Sequence, residues 1–140
     1  MQRGFMLIEL VLVIVIIAIA AALVFPHIGD WIAAYDLNIA ARQLAADLRL
    51  LQQMTINSDG LHTPRLTFYT TGYYTALSGN SVQPKRQFPS TVQISGLPSP
   101  FTFSIDGPPT VGGTIVLRRT DGKGIKKIII QVQTGRVRIE

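Results

Sequence analysis

Between Phe5 and Phe25 the sequence runs for 21 residues with a single polar side chain, Glu9. At 1.5 Å of rise per residue such a stretch makes about 31 Å of helix, close to the ~30 Å hydrocarbon thickness of a bilayer. Leu, Val, Ile and Ala occupy every direction around that helix, so no polar stripe is left to face water. The run therefore predicts a membrane segment, and a chain of 140 residues has room for one further domain beside it. An ordinary export signal would cut after Ala18-Ile19-Ala20, which imitates the small-x-small rule. Glu9 argues against that reading and for a retained anchor, because an ionisable group inside a span costs about 2.5–3.5 kcal/mol even on permissive scales and usually marks a function. A Glu9 that merely snorkels to the interface is the other reading of that residue. Arg3 before the run, with Asp30 and Asp36 after it, places the short basic end in the cytoplasm and the bulk of the chain outside.

After Pro26 the period changes. Ile28, Ile32, Tyr35 and Ile39, together with Leu37, Ala41, Leu44, Leu48 and Leu51, recur at three- and four-residue steps, with Arg42, Gln43, Asp47, Arg49 and Gln53 between them. This predicts an amphipathic helix continuing the membrane helix to about Ile56, stopped by Asn57-Ser58-Asp59-Gly60. From residue 61 the period is two. Leu66–Thr70 and Tyr73–Leu77 predict a hairpin around Thr71-Gly72; Thr91–Ser95 and Phe101–Ile105 are short strands. Thr114–Arg119, Lys126–Gln133 and Arg136–Ile139 predict a three-stranded antiparallel meander. The fold class is therefore α+β: a long N-terminal helix, transmembrane over 5–27 and amphipathic over 28–58, packed on an antiparallel β-sheet head over 59–140.

Charge is uneven. Residues 1–60 carry three basic and five acidic side chains, residues 61–140 ten basic and three acidic, so the head is strongly positive. Arg118, Arg119, Lys123, Lys126, Lys127, Arg136 and Arg138 crowd into the last quarter of the chain. Strand alternation puts Arg136 and Arg138 on one face, about 7 Å apart, with Val137 and Ile139 on the other. Such a face is either the solvated outside of a half-buried sheet or an anion site for DNA phosphates or an acidic neighbour. Lys85 and Arg86 form a second basic point in a polar loop. Catalysis finds little to work with. The chain has no cysteine and two histidines, His27 and His62, far apart in sequence. No carboxylate pair has acid–base spacing, and Gly122-Lys123-Gly124 lacks the leading glycine and the Ser/Thr of a phosphate-binding loop. No enzyme, cofactor or metal site is expected.

Gly4-Phe5-Met6-Leu7-Ile8-Glu9-Leu10, behind a short basic leader and ahead of the apolar run, resembles the class III signal of type IV prepilins. Over its whole length the chain is similar to the GspH/FimT family of minor pilins and pseudopilins, with Trp31 soon after a proline and a β-rich head closing on Gly-Arg. The resemblance implies a leader of residues 1–4, cut by a prepilin peptidase between Gly4 and Phe5 with methylation of the new Phe5 amine. It implies that Glu9 pairs with the Phe5 amine of a neighbouring pilin or pseudopilin subunit during assembly, and that Pro26 kinks the helix. It further implies a single-pass inner-membrane protein with an extracytoplasmic head, serving a type IV pilus or a type II secretion pseudopilus. In FimT-like competence pilins a Gly-Arg-x-Arg motif is associated with DNA binding. Gly135-Arg136-Val137-Arg138 matches it, which makes Arg136 and Arg138 the candidate DNA contacts. Pilins whose heads close with a disulfide loop differ here, where cysteine is absent.

Overall fold

A computed structural model describes residues 3–60, 62–77, 80–81 and 84–140, with side chains outside 3–6, 24–27 and 80–81. The side chains of Phe5, Pro26 and His27 lie outside that description, as do the first two leader residues. Residues up to Ile32 form one compact unit and Ala33–Glu140 another.

The first element, α1, is a helix over Arg3–Ile56. In the N-terminal unit the apolar side chains from Leu7 onward are exposed on every side, and Glu9 with them. A helix whose described apolar side chains are exposed in this way favours a non-aqueous surrounding or partner helices. Among the described residues no single helix is long and apolar enough to cross a membrane. The run of described apolar side chains stops at Leu23, about 26 Å of rise, and Leu7–Leu23 and Ile28–Ile56 qualify only together, by length and composition.

In the second unit α1 becomes a core element. Leu37, Ala40, Ala41, Leu44, Ala45, Leu48 and Leu51 form one buried stripe, with Thr55 extending it. Thr55 satisfies its hydroxyl by donating to the Leu51 carbonyl at 2.8 Å. Four of the nine apolar residues expected to form one stripe are exposed: Ile28, Ile32, Tyr35 and Ile39. At 100° per residue Leu37 and Ile39 stand 200° apart, so one sheet cannot cover both.

Among the described residues nine strands follow: β1 Arg65–Tyr69, β2 Gly72–Leu77, β3 Asn80–Ser81, β4 Arg86–Gln87, β5 Val92–Ile94, β6 Phe101–Thr102, β7 Gly113–Arg119, β8 Ile125–Ile130 and β9 Val137–Ile139. They make two antiparallel sheets, one ordered β3-β2-β1-β6 with β4 also on β2, the other β5-β7-β8-β9. The meander expected at the end of the chain is present as β7-β8-β9, and β5 adds to it by passing over β6. β6 is only two residues long, and Pro98 and Pro100 just before it supply no N–H to a ladder. The hairpin turn falls on Thr70-Thr71 rather than Thr71-Gly72, with Gly72 paired to Tyr69. A Cβ at Gly72 would run into the Arg86 carbonyl and the Tyr69 ring, so glycine is needed inside the strand. Both sheets turn their apolar faces to the α1 stripe: Leu66, Phe68, Tyr73, Phe101 from one, and Ile115, Leu117, Ile128, Ile130, Val137 from the other, complete a single core.

Candidate functional site

The β5-β7-β8-β9 sheet has two unlike faces, and burial alternates accordingly. Ile115, Leu117 and Arg119 of β7, Ile128 and Ile130 of β8, and Val137 of β9 are buried toward α1. Arg118, Lys127 and Arg138 alternate with them and are exposed on the outside, where Arg136 also stands exposed just before β9. Register places these cations close together. Ile129 pairs with Arg138, Val116 with Lys127, and Arg118 with both Gln93 and Ile125. Cross-strand neighbours on one face are roughly 4.5–5.5 Å apart at Cβ, so guanidinium and ammonium groups share one surface over the apolar floor of Val116 and Ile129. One carboxylate intrudes, Glu140, whose Oε1 lies 3.4 Å from Arg138 Nε. Both partners are largely exposed, so this pair is weak and exchangeable.

Of the seven crowded basic residues, the fold withdraws Arg119. Its side chain is buried at 7% exposure and bonds Asp121 across the β7–β8 turn. Asp121 accepts the Lys123 backbone N–H at 3.0 Å, and this bond, then the Arg119 guanidinium, holds its carboxyl below the usual range. Lys126 faces inward and is half-buried.

Gly135 has a reason the sequence motif does not reveal. Its φ is +65°, a left-handed conformation, and it is buried. A Cβ there would come 2.5 Å from Gln52 Nε2 and 2.7 Å from the Gly107 carbonyl oxygen. Gln52 Nε2 itself donates to that carbonyl at 2.7 Å, so helix, β6–β7 loop and β8–β9 turn close at one point. The turn is completed by Gly135 N–H to the Gln131 carbonyl and by Arg136 N–H to Thr134 Oγ1. Beside it Arg49 Nη2 donates to the Val137 carbonyl at 3.3 Å. Arg49, Gln52 and residues 134–139 line an open groove of about 560 Å³, and Ile129, Gln131, Arg136, Arg138 and Glu140 line a smaller one of about 340 Å³ on the outer face.

The second basic point resolves differently. Arg86 lies in β4, with Nε 3.5 Å from Asp47 Oδ2. The same carboxylate oxygen accepts the Tyr73 hydroxyl at 2.7 Å, and Tyr69 donates to the Arg86 carbonyl at 2.9 Å. Burial, then the Asp47 hydrogen bond, pushes the Tyr73 hydroxyl far above its ordinary titration range. Arg86 therefore fastens the first sheet to α1, and Lys85 sits over the Tyr74 ring at 5.8 Å. The sequence shows no spacing that links Asp47 to Tyr73, nor Arg49 to Val137; only the fold brings them together. His62 is a loop residue bonded through its N–H to Asp59 Oδ1 at 3.1 Å. Among the described residues no group of three or more His, Cys, Asp or Glu could hold a metal ion.

The chain is similar to the competence protein ComGD of Bacillus subtilis (strain 168), at 28% identity over 142 residues covering 99% of this chain and 94% of that protein. No family model and no solved structure matches it.

Proposed function

We propose that the chain is a minor pilin-like subunit of a competence machine that takes up DNA, and that it acts structurally rather than as an enzyme. The observation that carries this reading is the similarity to a competence protein over 99% of a chain whose long helix has an apolar, exposed run from Leu7 to Leu23. Under this reading residues 5–27 anchor the protein in the membrane, the head lies outside, and assembly with other pilin-like subunits proceeds through α1. A prepilin peptidase removes residues 1–4, and Glu9 supplies the counter-charge for the Phe5 amine of the neighbouring subunit. A carboxylate in hydrocarbon is costly alone and favoured beside a cationic amine, which gives that pairing its physical basis.

Processing and assembly separate cleanly in experiment. Intact mass should show loss of Met1–Gly4 plus one methyl group, and a bulky substitution at Gly4 should retain the leader. Glu9→Leu should insert in the membrane at least as well as the parent, because an intramembrane charge is removed. It should nonetheless disappear from the sheared filament fraction, and transformation should fall to background. Loss of about twenty N-terminal residues, or normal incorporation of Glu9→Leu, would overturn the reading. A filament defect with unchanged transformation would favour a secretion pseudopilus instead.

A second reading has its own observation: Arg118, Lys127, Arg136 and Arg138 share one outward sheet face, with Glu140 beside Arg138. Such a face suits DNA phosphates, which are bound without regard to sequence. For the 28–140 fragment, log affinity for duplex DNA should fall with log salt at a slope of about −2 to −4. Arg136→Gln with Arg138→Gln should flatten that slope by about two units, on the rule of −0.9 per phosphate contact. Arg65→Gln with Lys85→Gln is the charge-matched control on the other sheet; Arg86 is unsuitable because it is tied to Asp47. Fluorescence anisotropy at several salt concentrations measures both, and equal losses in the two double variants would reject the face.

A further inference from the structure

The strand β9 is an open edge. Among the described residues it pairs with β8 alone, and its hydrogen-bond phase is set by Glu140, whose N–H and carbonyl both exchange bonds with Lys127. In an antiparallel ladder such pairs alternate with pairs that exchange none. Arg138 opposite Ile129 is therefore bonded to β8, as is Arg136 through the Gln131 N–H. Val137 and Ile139, between them, direct their N–H and carbonyl groups away from the sheet. Arg49 Nη2 takes the Val137 carbonyl, which fixes that outward direction by observation. The groove of about 560 Å³ runs along this edge, walled on the helix side by Arg49 and Gln52 and on the strand side by residues 134–139.

We propose that this groove takes an extended peptide that adds to β9 as a further antiparallel strand and carries carboxylates at alternate positions. Main-chain bonds to Val137 and Ile139 would provide the pairing, as in other strand-addition complexes. Side chains directly opposite Arg136 and Arg138 fall on the outer face, and their spacing of about 7 Å along β9 matches residues i and i+2 of the incoming strand. Acidic side chains at those positions meet two guanidiniums; the residue between them turns inward beside Val137 and Ile139 and is best apolar. As the peptide N–H takes over the Val137 carbonyl, Arg49 is released to a carboxylate. Charge also decides against the simplest rival occupant. A second copy pairing β9 to β9 would set Arg136 and Arg138 of both chains on one face, and like charges opposite one another are destabilising. DNA, which offers no strand backbone, would leave the Val137 and Ile139 groups unused. The proposal is independent of the DNA-binding reading.

The test uses the full chain in detergent micelles and a fluorescein-labelled, end-capped peptide Thr-Val-Glu-Val-Glu-Thr, read by anisotropy. The parent peptide should bind, and its Gln-for-Glu analogue should bind more weakly. Methylating the two Val amides, which would face β9, should weaken binding about tenfold, the equivalent of one to two lost hydrogen bonds. Methylating the two Glu amides, which would face away, should not. On the protein, Ile139→Pro removes one outward donor without touching charge or a β8 bond, and should reproduce the Val-methylation loss. If that variant fails to fold, the two methylated peptides still decide the matter on the parent protein. No binding of the parent peptide, or equal affinities of the two methylated peptides, overturns the proposal. Equal affinities combined with displacement by duplex DNA would make the groove a plain anion surface.

Discussion

A fragment of residues 61–140 is expected to precipitate or remain unfolded, whereas 28–140 folds to a soluble monomer with mixed helix and strand circular dichroism. The seven apolar side chains that α1 contributes to the core are almost fully enclosed between the two sheets. Leu44, Leu48 and Leu51 are within 1% of complete burial. Burying one such leucine is worth about 1.5–3 kcal/mol, so three of them together match much of the 5–15 kcal/mol stability of an ordinary domain. Removing the helix also strips Asp47 from Tyr73 and Arg86, and Gln52 from the Gly107 carbonyl. Two sheets would then present their inner faces to water, a surface prone to association. Size-exclusion chromatography and circular dichroism of the two fragments read the result directly. A monomeric, cooperatively folding 61–140 would show that the helix rests on the head without being part of its core. A finer version is Leu48→Ala within 28–140, expected to cost about 3–5 kcal/mol because Leu48 is fully buried in the core and its removal leaves a cavity.

Gly135→Ala is expected to destabilise the head by about 2–4 kcal/mol, adding a left-handed backbone penalty to a collision of the new methyl. The collision is with Gln52 Nε2 and the Gly107 carbonyl, both held in place by their mutual hydrogen bond. Gly96→Ala isolates the backbone contribution, since Gly96 has φ +77° and open space where its Cβ would stand; it should cost only about 1 kcal/mol. Gln52→Ala combined with Gly135→Ala should recover part of the loss, the Gly107 contact remaining. Urea denaturation of 28–140 measures all three. The prediction bears on function as well: a Gly135 variant that loses DNA or peptide binding would do so through the β8–β9 turn, so binding losses count only for variants whose unfolding midpoint is unchanged. Equal effects at Gly96 and Gly135 would remove the close-packing role assigned here.

Arg136 and Arg138 were legible from the alternation of charged and apolar residues along β9, as was the antiparallel β7-β8-β9 order from its turn glycines. The helical period predicts a wider stripe on α1 than the sheets cover. Leu37 and Ile39 both fit a three-to-four-residue repeat when the repeat is followed loosely, and a sequence does not say which of two stripes the sheets will cover. Within the basic cluster, composition does not distinguish Arg118, exposed, from its neighbour Arg119, turned inward to Asp121.

What the chain carries in its own order is therefore whatever depends on neighbours a few residues away: the apolar run with Glu9 inside it, the helical period that follows, the two-residue period of the strands, and the sign of the head's charge. These are consequences of backbone geometry and side-chain solvation, and they act locally. The division of the strands into two sheets, the Asp47–Tyr73–Arg86 fastening, the closure of Gln52 on Gly107 beneath Gly135, and the placing of Arg49 beside the β9 edge depend on pairs separated by tens of residues. Such pairs leave no spacing signal, since the chain between them is free to vary in length and path. They are chosen by which packing fills the space between helix and sheets, and that choice exists only once the tertiary structure has formed.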